Sequence, residues 1–191
     1  MTASPRLLDG IHAGDRDALN VCSLGLDAQV AYHMDKFKKI PFVSGSMAYN
    51  LSLVACLMGK IGCDLEVTID DGEVHTGQYL FALAASGCWY GGGWNCAPEA
   101  DPSDGKLDFV LIRNPGLLKL LPLVNSYKSG RYLNDPRFKD LVTFVRGDSM
   151  KVKAKRPAHC NFDGECKTVQ EISFSIYSGA VRFIDPTGEK V

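Results

Sequence analysis

The last third of the chain alternates short β-forming runs with turn residues, and this pattern limits the fold more than any other feature. Turns such as Gly147-Asp148 and Asp163-Gly164 separate the runs. Strands joined by turns at roughly 8–12-residue spacing are typical of a β-sandwich or an open barrel. The predicted strands are 141–145, 151–154, 158–162, 171–176 and 180–183.

The first two thirds of the chain add strands and two apolar helices. The predicted strands are 63–70, 78–86 and 106–112, with a long loop at 87–104. The predicted helices are 42–61, ended by Gly62, and 117–126, with a kink at Pro122. Residues 19–31 begin as an apolar run and continue into a helix-compatible stretch. We therefore predict an α+β fold that is mainly β. A parallel sheet alternating with helices is not indicated, because the sequence contains neither a GxGxxG motif nor a P-loop.

Length, charge and cysteine content set further limits. A chain of 191 residues without a linker-like stretch is predicted as a single domain over residues 1–191. Its 21 Lys and Arg nearly balance its 22 Asp and Glu, which argues against a nucleic-acid partner. No signal-peptide pattern and no apolar run of about 20 residues is visible, so we expect a cytoplasmic protein. The seven cysteines lack CxxC spacing and are expected to be free thiols.

Three consecutive glycines, Gly91, Gly92 and Gly93, form the most conspicuous local motif. Glycine allows close approach of the backbone, and successive N–H groups can bind an anion such as phosphate. The same run is typical of a flexible turn between strands. On the triplet alone, the turn is the simpler interpretation.

Two acidic segments follow the glycines. Three carboxylates lie within residues 101–108, and Mg²⁺ or Ca²⁺ takes oxygen ligands of this kind. A carboxylate pair, Asp163 and Glu165, surrounds a glycine further along, and paired carboxylates can act as general base and donor partner. Each segment can instead be an ordinary Asp-Gly turn next to a strand.

The order of the motifs is more specific than any one of them. In sequence they are Asn-x-x-Ser-x-Gly-x-Asp-Ala at 20–28, Gly-x-x-Ala-Tyr at 45–49, Gly91-Gly92-Gly93, Ala97-Pro98-Glu99-Ala100, Asp104-Gly105-Lys106-Leu107-Asp108 and Asp163-Gly164-Glu165. This series resembles the C-terminal domain of the diacylglycerol kinase and sphingosine kinase-like lipid kinases, in particular the soluble bacterial members. The resemblance extends from about residue 20 to about residue 183.

This resemblance implies a fold and a reaction. The family is similar in fold to the NAD kinases: an N-terminal α/β domain binds ATP through a Gly-Gly-Asp-Gly-Thr segment, and a β-sandwich-like C-terminal domain packs against it. The family transfers the γ-phosphoryl group of ATP to a lipid hydroxyl and requires Mg²⁺. This sequence contains no Gly-Gly-Asp-Gly-Thr. We therefore expect the N-terminal kinase domain to be absent from this chain and to be its partner, and the chain alone to be inactive as a kinase.

The resemblance also assigns residue roles. The candidates for the proton acceptor are Asp163 and Glu165. The residues assigned to nucleotide binding are Gly91, Gly92, Gly93 and Gly164. A structural Mg²⁺ is assigned to the carboxylate of Asp104 and to main-chain oxygens of Asp101 and Lys106.

The lipid and membrane contacts stay open to more than one interpretation. The helices at 42–61 and 117–126 would line an acyl-chain pocket, or they simply pack on the sandwich. Basic residues within 36–39 and 151–156 would contact a membrane surface transiently, or they form solvated faces. The alternative functions are a non-catalytic lipid-binding module and an NAD kinase relative acting on a soluble substrate. A homodimer also stays open.

Overall fold

An antiparallel sheet of nine strands is the main element of the computed structural model, which describes residues 5–38, 45–57, 59, 61–91 and 93–184. The strands of the chain are β1 (Arg6–Ala13), β2 (Arg16–Ala18), β3 (Val21–Gly25), β4 (Cys63–Ile69), β5 (Val74–Ala85), β6 (Trp89–Tyr90), β7 (Trp94–Asn95), β8 (Leu107–Arg113), β9 (Val142–Gly147), β10 (Ser149–Phe162) and β11 (Glu165–Phe183). The helices are α1 (Leu26–Lys38), α2 (Gly45–Leu57), α3 (Leu117–Leu120) and α4 (Val124–Lys128). Strands β6 and β7 form a separate hairpin.

Two short strands, β3 and β4, occupy the same position in the strand order, because each pairs with β5 on one side and with β10 on the other. In register, Val152 of β10 pairs with Val67 of β4, and Asn161 pairs with Ser23 of β3. The change of partner falls around Pro157, where the pairing of β10 with β11 also shifts register. A proline has no N–H to donate to a strand ladder, so a bulge is where a strand can accommodate it.

The sheet encloses one core and carries helices on its other face. The inner core contains residues from opposite ends of the sheet, such as Ala18 of β2 and Phe109 of β8, so the sheet must fold over on itself. A second core combines Leu83 of β5 and Val110 of β8 with Val30 of α1. The second half of β5 and nearly all of β8 are thus buried on both faces, which explains their near-continuous apolar sequences. This arrangement confirms the mainly β, sandwich-like α+β prediction.

The helices partly match the sequence-based prediction. Residues 42–44 of the first predicted helix lie outside the described residues, and α2 runs from Gly45 to Leu57. It packs on α1, where the Ser52 hydroxyl donates to the Val30 carbonyl at 2.7 Å. The second predicted helix is divided into α3 and α4 by a 3-10 turn that contains Pro122. The predicted kink is confirmed, because proline interrupts the helical hydrogen-bond pattern.

Three features of the strand pattern differ from the prediction. Strands β1 and β2 were not predicted, although β1 pairs with β11 over most of its length. The predicted loop at 87–104 contains the β6–β7 hairpin. The last two predicted strands form one continuous strand, β11, because Gly179 lies beside a register shift in the β1–β11 pairing and not in a hairpin turn. Within the described residues, no helix has both the length and the apolar character needed to cross a bilayer.

Candidate functional site

The turn between β10 and β11 is built around Asp163. Asp163 has a φ of 48° and Gly164 a φ of 103°, a backbone conformation that favours Asp, Asn and Gly. The Asp163 carboxylate accepts main-chain N–H groups from Leu19 at 2.6 Å and from Val21 at 2.8 Å, and also from Asn20. This predicted catalytic carboxylate therefore anchors the start of β3.

The second predicted carboxylate of this turn, Glu165, is much more open. Its side chain is 82% exposed, and Arg16 Nη1 lies 3.1 Å from Glu165 Oε2. The intervening Gly164 donates its N–H to Asn161 Oδ1 at 2.8 Å. That N–H is therefore engaged within the turn, which weakens the expectation that Gly164 binds nucleotide. The roles of Asp163, Glu165 and Gly164 stay predictions.

The glycine triplet lies at the tip of the β6–β7 hairpin, which supports the turn interpretation. Gly91 is exposed, and Gly93 has a φ of 74°, in the left-handed region that glycine tolerates best. Gly92 lies outside the described residues. At the base of the hairpin, the Trp89 carbonyl accepts a hydrogen bond from Asn20 Nδ2 at 2.7 Å. Nucleotide binding by the glycines stays a prediction.

Three residues, Asn20, Ser86 and Asp9, connect these motifs at one end of the central strands of the sheet. The Asn20 carbonyl accepts the N–H of Ser86 at 2.9 Å, and the Ser86 hydroxyl donates to the Asp9 carbonyl at 2.9 Å. Because the Asn20 N–H also donates to Asp163, Asn20 connects the Asp163 turn to the base of the glycine hairpin. Ser86 extends this network to β1. No sequence signal marked Asp9 or Ser86, since both depend on contacts between distant parts of the chain.

The buried side chain of Asp9 holds the predicted metal loop. Its carboxylate accepts the N–H of Gly105 at 2.8 Å and the N–H of Gly179 at 2.8 Å. Its own N–H donates to the Pro102 carbonyl at 2.6 Å. The loop is thus fixed to β1 and β11 by one residue.

Within this loop, the predicted metal ligands already have partners. Asp101 Oδ1 accepts both the N–H and the hydroxyl of Ser103, and these hydrogen bonds lower the pKa of Asp101. Asp104 Oδ1 accepts the Lys106 N–H at 2.9 Å. Lys106 Nζ donates to Asp148 at 2.6 Å, which raises the pKa of Lys106.

The oxygen atoms of the loop are only partly suitable as ligands for a hard cation such as Mg²⁺ or Ca²⁺. A carboxylate and main-chain oxygens are the ligands that Mg²⁺ prefers. The guanidinium of Arg146, however, lies 3.8 Å from Asp104 Oδ2 and would compete with a cation. No group of three or more His, Cys, Asp or Glu side chains converges in the described part of the chain. The predicted site needs only one carboxylate, so it stays a prediction.

Arg146 also forms the most buried ion pair next to this loop. Its Nε lies 2.7 Å from Asp108 Oδ1, and the Asp108 side chain is only 2% exposed. The two residues face each other across β8 and β9, and Arg146 also donates to the Glu99 carbonyl. Burial raises the pKa of Asp108, although the Arg146 hydrogen bond opposes this rise.

A wholly apolar cavity lies between α2, the outer face of the sheet and the segment that contains α3 and α4. Its volume is about 70 Å³, and it opens to solvent. That volume is below the roughly 300–1,000 Å³ of small-molecule sites, so a lipid tail would have to displace some of the lining side chains. The lining residues are Leu26, Leu53, Leu57, Leu80, Phe81, Trp94, Ile112, Pro115, Leu120, Leu121, Leu123, Val124, Tyr127, Phe138 and Leu141.

A half-buried carboxylate, Asp27, follows the cavity residue Leu26 at the start of α1. Its Oδ2 accepts a hydrogen bond from the Ser23 hydroxyl, whereas its Oδ1 is covered and has no hydrogen-bond partner among the described residues. Burial raises the pKa of Asp27, and the Ser23 hydrogen bond opposes part of that rise. The sequence motif at 20–28 contained both residues but did not indicate this unsatisfied oxygen.

Comparison with known protein families identifies the family of this domain. Residues 20–185 match the model of the YegS C-terminal NAD kinase beta sandwich-like domain. The chain belongs to this family. The match covers most of the chain, including the Asp163 turn, the glycine hairpin, the acidic loop and the elements that line the cavity.

Individual relatives of this YegS C-terminal domain are named as kinases. "Probable lipid kinase YegS-like" from Chromohalobacter salexigens is 25% identical over 185 residues, 96% of this chain and 57% of that protein. "Sphingoid long-chain bases kinase 1" from Arabidopsis thaliana is 35% identical over 71 residues, 36% of this chain and 9% of that protein. The chain thus spans little more than half of the bacterial relative.

Solved structures support the fold. A diacylglycerol kinase from Bacillus anthracis str. Sterne superposes with a TM-score of 0.60 at 14% identity, over 96% of this chain and 56% of that chain. At this identity the likeness concerns the architecture alone. It confirms the fold class that the motif order implied.

Proposed function

We propose that this chain is the substrate-binding and catalytic-accessory half of an ATP-dependent lipid kinase. Its substrate would be a lipid hydroxyl of the diacylglycerol or sphingoid type. The observation that carries this proposal is the wholly apolar cavity near the end of the sheet at which the sequence motifs lie. Only an apolar ligand gains from entering a site lined in this way, because a polar ligand would lose its hydrogen bonds to water there.

The geometry suggests how the two ends of a lipid would be held. The cavity would take the hydrocarbon tail. The unsatisfied Oδ1 of Asp27 would accept a hydrogen bond from a hydroxyl or amine near the polar end. Leu26 of the cavity and Asp27 are consecutive, and the β6–β7 hairpin connects the cavity residue Trp94 to the base of the glycine turn. A lipid whose tail lies in the cavity would therefore have its polar end towards the end of the sheet that contains Glu165.

The two candidate proton acceptors would have different roles. Asp163 is held by three main-chain N–H groups, which makes it a positioning residue for the turn and for β3. Glu165 is exposed, and its one described partner is Arg16, so it is the carboxylate free to approach a substrate hydroxyl. We therefore assign the proton acceptor to Glu165. General-base catalysis of this kind contributes roughly 10²–10⁴-fold to a rate.

The nucleotide and the metal ion would bind residues at the same end of the sheet. Mg²⁺, when bound, would stabilise negative charge on the loop or on the phosphates. Asp104, with main-chain oxygens of Asp101 and Lys106, would hold the structural ion. Exposed N–H groups at Gly91 and Gly93 would approach the phosphates. ATP itself would be held mainly by the partner N-terminal kinase domain.

A phosphorylation screen tests this function. The chain alone and the chain reconstituted with a nucleotide-binding domain of the family are each given labelled ATP and diacylglycerol, sphingosine, ceramide or NAD. We expect transfer to a lipid only in the reconstituted protein, and a loss of roughly 10²-fold or more in Glu165→Gln. Transfer to NAD alone would support the soluble-substrate alternative. Saturable lipid binding without any transfer would support the non-catalytic module.

A further inference from the structure

The mouth of the apolar cavity is bordered by exposed apolar side chains. On α2, Met47, Leu51 and Val54 are exposed and follow the i, i+4, i+7 spacing that places residues on one helical face. The other side of α2 contributes Leu53 and Leu57 to the cavity lining. The helix therefore presents apolar residues both to the cavity and to solvent.

The opposite border, α3 and the turn after it, has the same character. Leu118 is 86% exposed, and Leu117 and Leu121 are also exposed. Leu121 belongs at the same time to the cavity lining, so the cavity opens beside α3. Scattered exposed leucines need no explanation, but here both segments that line one apolar cavity also carry several exposed apolar residues.

The segments that contain α2 and α3 are also the two longest stretches of the sequence without Asp or Glu, and both contain basic residues. Between Asp35 and Asp64 the sequence contains four lysines and no Asp or Glu. Between Asp108 and Asp135 it contains two arginines and two lysines, and again no Asp or Glu. These eight residues are more than a third of the 21 Lys and Arg, while all 22 Asp and Glu lie elsewhere, in a protein with a net charge of -1.

The second basic segment predicted from the sequence does not share this property. On β10, Lys153 pairs in register with Glu66 of β4 on one side and with Glu171 of β11 on the other. Lys151 lies 3.9 Å from Asp71. Its charges are therefore partly balanced by neighbouring strands.

We propose that α2 and α3 dock the cavity mouth onto a bilayer that contains anionic lipid. This inference rests on the proposed function and names the surface from which the substrate enters. Met47, Leu51, Val54, Leu118 and Leu121 enter the interface, and the exposed Lys119 faces the lipid headgroups. A lipid tail then passes from the bilayer into the cavity without crossing water. An apolar surface with basic residues is the usual composition of interfacial membrane-binding elements.

Vesicle sedimentation tests this surface without any kinase substrate. The chain is mixed with vesicles of phosphatidylcholine alone or of phosphatidylcholine with phosphatidylserine, neither of which has a free hydroxyl. We expect binding to the anionic vesicles, weakened at about 1 M salt, where the screening length is only about 3 Å. Leu118→Asp is expected to lower the binding constant at least about tenfold, since a leucine no longer leaves water. Lys119→Glu is expected to weaken binding in the same direction.

Matched variants on other surfaces serve as controls. Leu7→Asp changes a leucine that is 57% exposed on β1, and Lys153→Glu changes a lysine of the β10 segment. Neither is expected to alter vesicle binding. Equal losses in Leu118→Asp and Leu7→Asp, or no binding of the unmodified chain, would overturn the proposal. So would a Leu118-dependent dimer in light scattering without vesicle binding, because the face would then belong to a second copy. Since the vesicles contain no kinase substrate, this result is independent of the phosphorylation screen.

Discussion

The carboxylate of Asp163 accepts the main-chain N–H of Val21 at 2.8 Å, across 142 residues of sequence. The Asp163 N–H in turn donates to the Val21 carbonyl at 3.1 Å. This reciprocal pair fixes the β10–β11 turn to the first residue of β3. The strand then leads through Ser23 to Asp27 and the cavity, so one short strand connects the turn that carries Glu165 with the proposed lipid site.

Removing the Asp163 carboxylate should therefore destabilise the fold. Asp163→Ala is expected to lower the free energy of unfolding by about 2–3 kcal/mol, because three N–H groups lose their acceptor and alanine is strained at positive φ. Asp163→Asn keeps one acceptor and tolerates this φ, so its loss should stay below about 1 kcal/mol. Urea unfolding measures both values.

Glu165→Ala is the control for this prediction, because it removes an exposed side chain of the same turn. We expect a change within about 0.5 kcal/mol. Equal destabilisation by Asp163→Ala and Glu165→Ala would show that Asp163 does not anchor β3.

The buried Asp108–Arg146 pair should be far more sensitive than the exposed pair beside it. Arg146→Met leaves the Asp108 carboxylate buried without its partner, which typically costs about 3–5 kcal/mol. Lys106→Met removes only the exposed contact with Asp148 and should cost far less, because solvent screens an exposed ion pair. Thermal unfolding of both variants tests this difference, and similar costs for the two would be evidence against it.

The half-buried Asp27 should make stability depend on pH in a defined direction. A carboxyl whose pKa is raised in the folded state binds more protons folded than unfolded, so its unfavourable contribution decreases as pH falls. Asp27→Asn is expected to raise the free energy of unfolding at pH 7 by about 1–3 kcal/mol. This gain should shrink as pH falls towards about 4, the ordinary carboxyl pKa.

Melting temperatures of both proteins between pH 4 and pH 8 measure this gain. A gain that stays constant over the whole range would refute the burial effect. In the reconstituted kinase, the same substitution should weaken lipid binding, since Oδ1 is proposed to hold the polar end of the substrate.

Binding of Mg²⁺ to the acidic loop predicts a stability change that depends on Asp104. A ligand at about 100 times its dissociation constant stabilises a fold by about 2.7 kcal/mol. Mg²⁺ should therefore raise the melting temperature of the unmodified chain and of Asp101→Asn, whose proposed ligand is a main-chain oxygen. It should have no effect on Asp104→Asn. An identical Mg²⁺ response in all three proteins would exclude Asp104 as the ligand.

Local patterns in the sequence were sufficient for most strands and for the family. Alternation predicted β4 and the two halves of β10, because each has a repeating pattern of buried and exposed positions. Strand β8 was also predicted, although all of its residues except Arg113 are buried. Strand β1 escaped prediction because its sequence contains Asp9 and Gly10 at its centre. In the structure Asp9 is buried and satisfied by two distant N–H groups, which no local pattern reveals.

The motifs of the candidate site were visible in the sequence, but their connections were not. Asp163 and Glu165 appeared equivalent as a carboxylate pair, and only the contacts with Leu19, Asn20 and Val21 distinguish an anchoring role from an open side chain. Likewise, two apolar helices could have packed on the sheet without leaving space. The cavity is lined by side chains from many separate elements, so only the folded structure shows that it exists.

Binding of a short-chain lipid tests the central claim, that the apolar cavity holds a lipid tail. Titration of the chain with dioctanoylglycerol, below the concentration at which it aggregates, is followed by calorimetry. We predict saturable binding of one molecule per chain. Leu120→Trp fills the cavity and should weaken binding at least about tenfold. Leu118→Trp changes an exposed leucine of the same helix and should leave binding unchanged. Absence of saturable binding, or the same loss in both variants, would contradict the account.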